Sequence, residues 1–264
     1  MKIAVLLSGG VDSSVALHML AREGHELTAF YLKIWLEEEL AFLGDCPWEA
    51  DLRCARSVCQ QIGVPLEIVP LQQEYLDRVV TRALDELRLG RTPSPDLFCN
   101  QRIKFGAFVD LLDPELATVA SGHYARLDGR GKHPTLRCGC DPVKDQTYFL
   151  SDLRRDQLNR LRFPIGELSK AEVRSLAAEF GLCNKDRPDS QGICFLGKIS
   201  YRDFVAFHLG EKPGVIVELD SGEVLGEHRG YWFHTIGQRH GLALSGGPWY
   251  VVGKAVHENV VYVA

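Results

Sequence analysis

Ile3-Ala4-Val5-Leu6-Leu7, then Ser8-Gly9-Gly10-Val11-Asp12-Ser13-Ser14, then Val15-Ala16-Leu17-His18-Met19-Leu20: this opening stretch decides the fold of the 264-residue chain. The apolar run predicts a buried strand, the two glycines a tight turn, and the residues after Ser14 a helix. Glycines let the backbone approach a charged ligand closely, while serine hydroxyls and the N–H groups of a helix start point at it. Phosphate is the natural occupant. The common P-loop is excluded, because no Gly-Lys followed by Ser or Thr stands at its spacing.

The alternation continues outward from there. Leu27–Leu32 reads as a second strand, a helix opens at Pro47 and runs through Gln61, and Pro65–Val69 reads as a third strand. Leu71 to Leu89 predicts a long amphipathic helix with Tyr75, Val79, Ala83 and Leu87 on one stripe, ended by Gly90. The loop Arg91–Asp96 leads into another helix carrying Ile103, Ala107, Phe108 and Leu111, and Ala117–Ala120 reads as a fourth strand. Strands alternating with helices predict an α/β fold, a parallel sheet with helices on both faces. Ligands of such sheets sit beyond the carboxyl ends of the strands, where Ser8–Ser14 lies.

Further along, Gly129 to Pro142 is polar and glycine-rich, a hairpin or mobile loop. Ser169–Phe180 predicts a helix, with Ser169 as N-cap, Glu172 three residues on and Gly181 closing it. After about residue 208, glycines punctuate short β-like runs at 215–217, 223–225, 232–234, 249–252 and 260–263. These predict a small antiparallel β domain, so the chain divides at 1–205 and 206–264.

Thirty Lys and Arg against 35 Asp and Glu leave a net charge of −5. Without a global basic field, a nucleic-acid partner must be held by a local patch and bind salt-sensitively. The N-terminal apolar run is too short for a signal peptide or a membrane span, which points to a cytoplasmic protein with no membrane partner. Eight cysteines then read as reactive or buried thiols rather than a disulfide framework. Cys99 stands at the predicted start of a helix, three residues after Asp96, with Arg102 and Lys104 close by to favour a thiolate. Cys194, in Asp189-Ser190-Gln191-Gly192-Ile193-Cys194-Phe195, is the second candidate. Cys138-Gly139-Cys140 is half a metal site with no matching second pair, so no structural metal is expected.

The opening motif resembles the PP-loop of the ATP pyrophosphatases, which cleave ATP to AMP and pyrophosphate and so adenylate a carbonyl oxygen. A closer resemblance covers nearly the whole chain. The Ser8–Ser14 loop, Asp45-Cys46-Pro47-Trp48, Gly90–Pro93, Pro95–Asn100, Lys104–Gly106, Gly122-His123-Tyr124, Lys144-Asp145-Gln146, Asp189–Phe195 and Thr235–Arg239 fall in the order of the tRNA-specific 2-thiouridylases. That family thiolates C2 of the wobble uridine in tRNA at the expense of ATP.

The resemblance implies that Leu6, Leu7, Ser8, Gly9, Gly10, Val11, Asp12 and Ser13 form the ATP loop, with Leu32 and Gly122 flanking adenosine. It implies that Ser94, Pro95 and Asp96 meet the target base, with Asp96 as general acid/base. It makes Cys194 the persulfide carrier and Cys99 the thiol that attacks the persulfide, leaving a Cys99–Cys194 disulfide. His123, Lys144, Asp145 and Gln146 match tRNA-contacting positions. Asp12 is expected to orient the loop or the Mg²⁺ that accompanies ATP. A sulfur donor, a cysteine desulfurase or a sulfur-relay protein, is an implied partner. Members usually continue into a third, C-terminal β-barrel domain that contacts tRNA, whereas this sequence stops at Ala264.

Three other readings stay open on the residues. One is a PP-loop ligase that uses an amine nucleophile, and another is a tRNA-binding or sulfur-carrier module without turnover. In the third, an iron–sulfur cluster delivers sulfide, but the matching motifs supply only two cysteines, fewer than the usual thiolate set.

Overall fold

A computed structural model describes residues 1–34, 48–129, 133–189 and 200–264. It divides into two compact units, Met1–Val79 with Asp96–Gly197, and Val80–Pro95 with Lys198–Ala264.

The first unit is built on a five-stranded parallel sheet in the order β3-β2-β1-β4-β7. Its strands are β1 (Lys2–Leu6), β2 (Glu26–Lys33), β3 (Leu66–Pro70), β4 (Thr118–Ala120) and β7 (Leu161–Arg162). Side chains of a strand alternate between faces, so β1 serves two cores. Ile3, Val5 and Leu7 join Leu27, Ala29 and Tyr31 in one buried cluster with helices Val11–Arg22, Trp48–Ile62 and Lys170–Glu179. On β2, Phe30 takes the opposite face and meets Phe108 edge-on at 5.1 Å, so the helix that ends at Leu111 covers that side. The expectation of helices on both faces of a parallel sheet is met.

Two helices depart from simple periodicity. The segment Leu71–Leu89 is helical, but a π-helical turn at Leu76–Val80 separates Gln72–Tyr75 from Thr81–Arg88. The next helix starts at Pro95, runs to Phe98, widens into a π-helix over Cys99–Ala107 and ends at Phe108–Leu111. A π-helix leaves backbone carbonyls off the i→i−4 ladder, and Gln157 supplies donors for two of them. Its Nε2 donates to the carbonyls of Gln101 at 2.8 Å and Phe105 at 2.7 Å.

The glycine-rich 129–142 stretch supplies one strand of an antiparallel hairpin, β6 (Thr135–Cys138), which pairs with β5 (Ala125–Asp128). The helix Lys170–Glu179 forms as expected. Ser169 Oγ accepts from the Glu172 N–H at 3.3 Å, the Glu172 carboxylate accepts from the Ser169 N–H at 2.7 Å, and Gly181 takes φ +62°.

The second unit carries a four-stranded sheet in the order β10-β11-β8-β9: β8 (Gly214–Glu218), β9 (Val224–His228), β10 (Val251–Ala255) and β11 (Val260–Val263). Two of its pairings are antiparallel, as expected, but β11 runs parallel to β8, so the sheet is mixed. The run Trp232–His234 is not a strand. After Gly230, at φ +147°, the chain turns into a 3₁₀ helix at Tyr231–Phe233, and the Tyr231 ring is buried in the small core. The unit boundary also differs from 205/206. Helix Tyr201–Leu209 buries Phe204 and Val205 and packs on Thr81–Arg88, so both helices belong to the second unit.

Candidate active site

The site begins where β1 ends. Ser8 is exposed and Gly9 buried, and helix Val11–Arg22 starts with Gly10 as its N-cap. A glycine has no side chain to satisfy the orphan N–H groups of the first turn, which are left for an incoming anion. The turn is braced from inside. Ser13 Oγ donates to the Gly10 carbonyl at 3.1 Å and lies 3.3 Å from the Ser8 nitrogen, and Ser14 Oγ donates to the same carbonyl at 2.8 Å. Asn184 donates to Ser14 Oγ and to the Gly9 carbonyl, both at 2.9 Å, while Arg187, paired with Asp51, reaches the Gly9 carbonyl at 3.3 Å.

Two glycines here are required by space. Gly9 has φ +79°, and a Cβ on it would collide with the Asp51 carbonyl. A Cβ on Gly122 would lie 2.7 Å from the Ser13 nitrogen, so the loop after β4 can pass against the helix start only as glycine. Leu32, the other expected adenosine neighbour, is half-buried near the end of β2, opposite Val69 of β3. Leu6, Leu7 and Val11 are buried and form the loop's apolar footing.

Asp12 is the charged member of this start. Its Oδ1 accepts from Tyr124 Oη at 2.9 Å and from Lys170 Nζ at 2.7 Å. Lys170 also lies 2.7 Å from Asp189, which is bonded in turn by Arg174 and Lys144, each at 2.7 Å. Burial opposes the Asp189 charge, but hydrogen bonds from Lys144 and Lys170 outweigh it and hold the carboxyl far below the usual range. Burial, then Asp12, pushes the Tyr124 phenol far above its usual value, so it stays a hydrogen-bond donor.

This network joins the glycine loop, the Lys144-Asp145-Gln146 segment and the residue that opens the Cys194 motif. Cys194 itself, like Cys46, lies outside the described residues. Lys170, Asn184 and Arg187 stand in none of the sequence motifs, and Tyr124 stands in one, Gly122-His123-Tyr124, without a role of its own. The one local signal was the Ser169–Glu172 capping box, which fixes Lys170 as the first residue of its helix.

The remaining expected residues sort by what they touch. Asp145 accepts from the Gly139 N–H at 2.9 Å and Gln146 from the Tyr124 N–H at 3.1 Å, so both brace the loops beside the site. His123 is half-buried, with Nδ1 at 2.8 Å from Ser121 Oγ; burial, then Lys104, pushes its pKa well below 6.5 and keeps the ring neutral. Asp96 is half-buried in the first turn of its helix; Ser94 precedes that helix and Pro95 begins it.

Cys99 is fully buried and is not at a helix start. The helix begins four residues earlier, at Pro95, which puts Cys99 beyond the first turn, where the dipole's effect has fallen off. The Arg102 guanidinium stacks over the Phe98 ring at 5.2 Å and donates to the Arg78 carbonyl at 3.3 Å. The Cys99 helix is fixed instead by its neighbours, with Asn100 donating to the Phe149 carbonyl at 2.8 Å and Gln101 to that of Asp152 at 2.7 Å.

No disulfide joins two described cysteines, and Cys138 and Cys140 are exposed. Among the described residues no three His, Cys, Asp or Glu side chains gather as a metal cage, and no helix is long and apolar enough to cross a membrane.

The chain is similar to several known proteins. Residues 1–198 match the family model described as tRNA methyl transferase HUP domain, and residues 202–264 match the tRNA methyl transferase PRC-barrel domain. A tRNA-specific 2-thiouridylase MnmA of Parabacteroides distasonis is 49% identical over 267 residues, covering 100% of this chain and 74% of its own. One from Porphyromonas gingivalis is 48% identical over 264 residues, covering 100% and 73%. A 4-thiouridine synthetase solved with RNA and bound ATP aligns at TM-score 0.45 and 14% identity, over 73% of this chain and 44% of its own. With both of its units matched and nearly half of its residues shared with the curated relatives, the chain belongs to the tRNA-specific 2-thiouridylase family.

Proposed function

We propose that the chain is a tRNA-uridine 2-sulfurtransferase that spends ATP to replace the C2 oxygen of the wobble uridine with sulfur. The observation that carries this reading is the Gly10-capped helix start with the Asp12–Lys170 pair at its lip. Bare N–H groups and a lysine suit a polyphosphate, and a single carboxylate suits the Mg²⁺ that ATP brings, since Mg²⁺ keeps most of its water and needs few protein ligands. Asp12 would hold that ion, whose charge stabilises the departing pyrophosphate.

In the proposed sequence the uracil oxygen attacks the α-phosphate and pyrophosphate leaves. The adenylated C2 is then electrophilic. The terminal sulfur of a Cys194 persulfide adds to C2, AMP departs with the former oxygen, and Cys99 attacks the inner sulfur, forming a Cys99–Cys194 disulfide and releasing the thiolated base. A reductant of the cell then restores the two thiols. Asp96 would move the proton, Ser94 and Pro95 would seat the base, Leu32 and Gly122 would flank adenosine, and His123 and Lys144–Gln146 would meet the tRNA. Extruding the uridine costs little, because it is single-stranded. A cytoplasmic setting with a cysteine desulfurase or sulfur-relay protein as donor fits this chemistry.

The test is thiolation of unmodified tRNA with ATP, Mg²⁺ and a persulfide-generating cysteine desulfurase, read by retardation in a mercury-containing gel. A shifted band that disappears with Cys194→Ala supports the reading. Full ATP-dependent turnover in Cys99→Ser and Cys194→Ser variants would replace it with an amine-using ligase.

A further inference from the structure

On the first unit, away from the residues of the glycine loop, lies a cavity of about 570 Å³. Arg78, Arg102, Arg154 and Arg160 line it together with Asp110 and Asp156. The excess of positive charge is unexpected in a chain of net charge −5.

The partners of these guanidinium groups make the cavity unusual. Arg154 is forked onto Asp156 at 3.1 and 2.8 Å. Arg102 gives one N–H to the Arg78 carbonyl at 3.3 Å, and Arg160 gives one to the Ala117 carbonyl at 3.1 Å. Among the described residues none of Arg78, Arg102 and Arg160 forms an ion pair. A guanidinium has five N–H donors in a fixed plane, so each single anchor orients the group and leaves donors over. Packing like charges around one concavity is unfavourable unless an anion relieves them, and low-dielectric walls strengthen the attraction for that anion.

We propose that this cavity is a phosphate-binding site, a second anion site beside that of the glycine loop. Phosphate fits because its oxygens accept paired N–H bonds from planar guanidinium groups. The phosphate is supplied by the backbone of the tRNA substrate or by free phosphate in solution. The first source rests on the proposed function; the second does not. Occupancy would also bear on the helix that carries Cys99, since Gln101, Phe105 and Gln157, the residues of its π-helical brace, line the same cavity.

The test compares the wild-type protein with the double variant Arg78→Ala/Arg160→Ala. Arg78→Lys/Arg160→Lys serves as a charge-retaining control, and circular dichroism confirms the fold. Binding of unmodified tRNA is measured by fluorescence anisotropy between 50 and 200 mM KCl. Stabilisation by inorganic phosphate is read from the melting temperature, with a non-hydrolysable ATP analogue occupying the glycine loop.

For an RNA source, the alanine variant binds tRNA about tenfold more weakly. Its slope of log K against log[salt] falls by about 1.5, or 0.7 to 0.9 per lost contact, and the lysine control retains most of the affinity. For a free-phosphate source, only the stabilisation by phosphate is lost. Unchanged tRNA affinity, salt slope and phosphate stabilisation in the alanine variant overturn the site. Wild-type protein that ignores tRNA yet keeps its arginine-dependent phosphate stabilisation would sink the substrate reading and leave the cavity standing.

Discussion

In the sheet unit, Asp189 is surrounded by Lys144, Lys170 and Arg174, and Lys170 reaches on to Asp12. In the core of the small β sheet, two buried histidines lie side by side, and among the described residues no carboxylate is bonded to either. His228 is satisfied as a neutral ring, with Nε2 at 3.1 Å from the Asn259 carbonyl and Nδ1 accepting from the Gly230 N–H at 3.0 Å. His234 lies beside it at 5.4 Å; burial, then His228 and Lys254, pushes its pKa down to about 4. The contrast is physical. A cluster of paired charges can trade one partner for an incoming anion, because Lys170 keeps a counter-ion throughout the exchange. A pair of neutral buried rings has nothing to trade and resists charging, which marks the second cluster as architecture.

The largest expected effect breaks the architectural side. A depressed histidine pKa means that the unfolded chain binds the proton first, so stability is full above about pH 6.5 and is lost as pH falls toward 4. A shift of that size corresponds to roughly 3 kcal/mol. Protection of the β8–β11 amides, relative to their intrinsic exchange rates, should fall at pH 4.5, and His234→Gln should remove most of the pH dependence. Equal acid sensitivity in the variant would assign the effect elsewhere.

Next, Lys170→Ala should lower ATP-dependent thiolation by about a hundredfold, the scale of losing one preorganised charge donor. Lys170→Arg should recover part of it. Activity untouched by Lys170→Ala would erase the distinction between the two clusters.

Gly122→Ala sharpens the comparison from the backbone side. Its methyl would meet the Ser13 nitrogen at 2.7 Å, which should cost about 2 kcal/mol and raise KM for ATP more than KM for tRNA. Ser169→Ala should have the smallest effect, a loss of about 1 kcal/mol from the missing cap. Because that cap starts the helix at Lys170, a measurable loss of ATP affinity should accompany the lowered melting temperature.

Much of this was legible in sequence where the determinants are local. Strand, glycine turn and helix are consecutive in Ile3–Leu20, and the Ser169–Glu172 box spans four residues. What escaped was long-range or stereochemically degenerate. Nothing within a few residues of Asp12 foretells that Lys170 and Tyr124 will hold it, since the sheet brings them together across 158 and 112 positions. The parallel β11–β8 pairing is invisible because strand composition does not encode direction. An aromatic run such as Trp232–His234 looks the same whether it alternates across a sheet or wraps into a 3₁₀ turn. Cys99 was misjudged by one turn, because Pro95 nucleates its helix earlier than the apolar pattern indicates. In the candidate site, the ligand-facing loop could be read, whereas the ion pairs that tune it required the fold.

The most direct measurement is nucleoside mass spectrometry of unmodified tRNA after incubation with the protein, ATP, Mg²⁺ and a persulfide donor, with nucleotide products quantified in the same reaction. The expected result is 2-thiouridine at the wobble position, with AMP and pyrophosphate formed one-to-one with it. Bound tRNA without sulfur at that uridine, or ATP converted to ADP and phosphate, would contradict it.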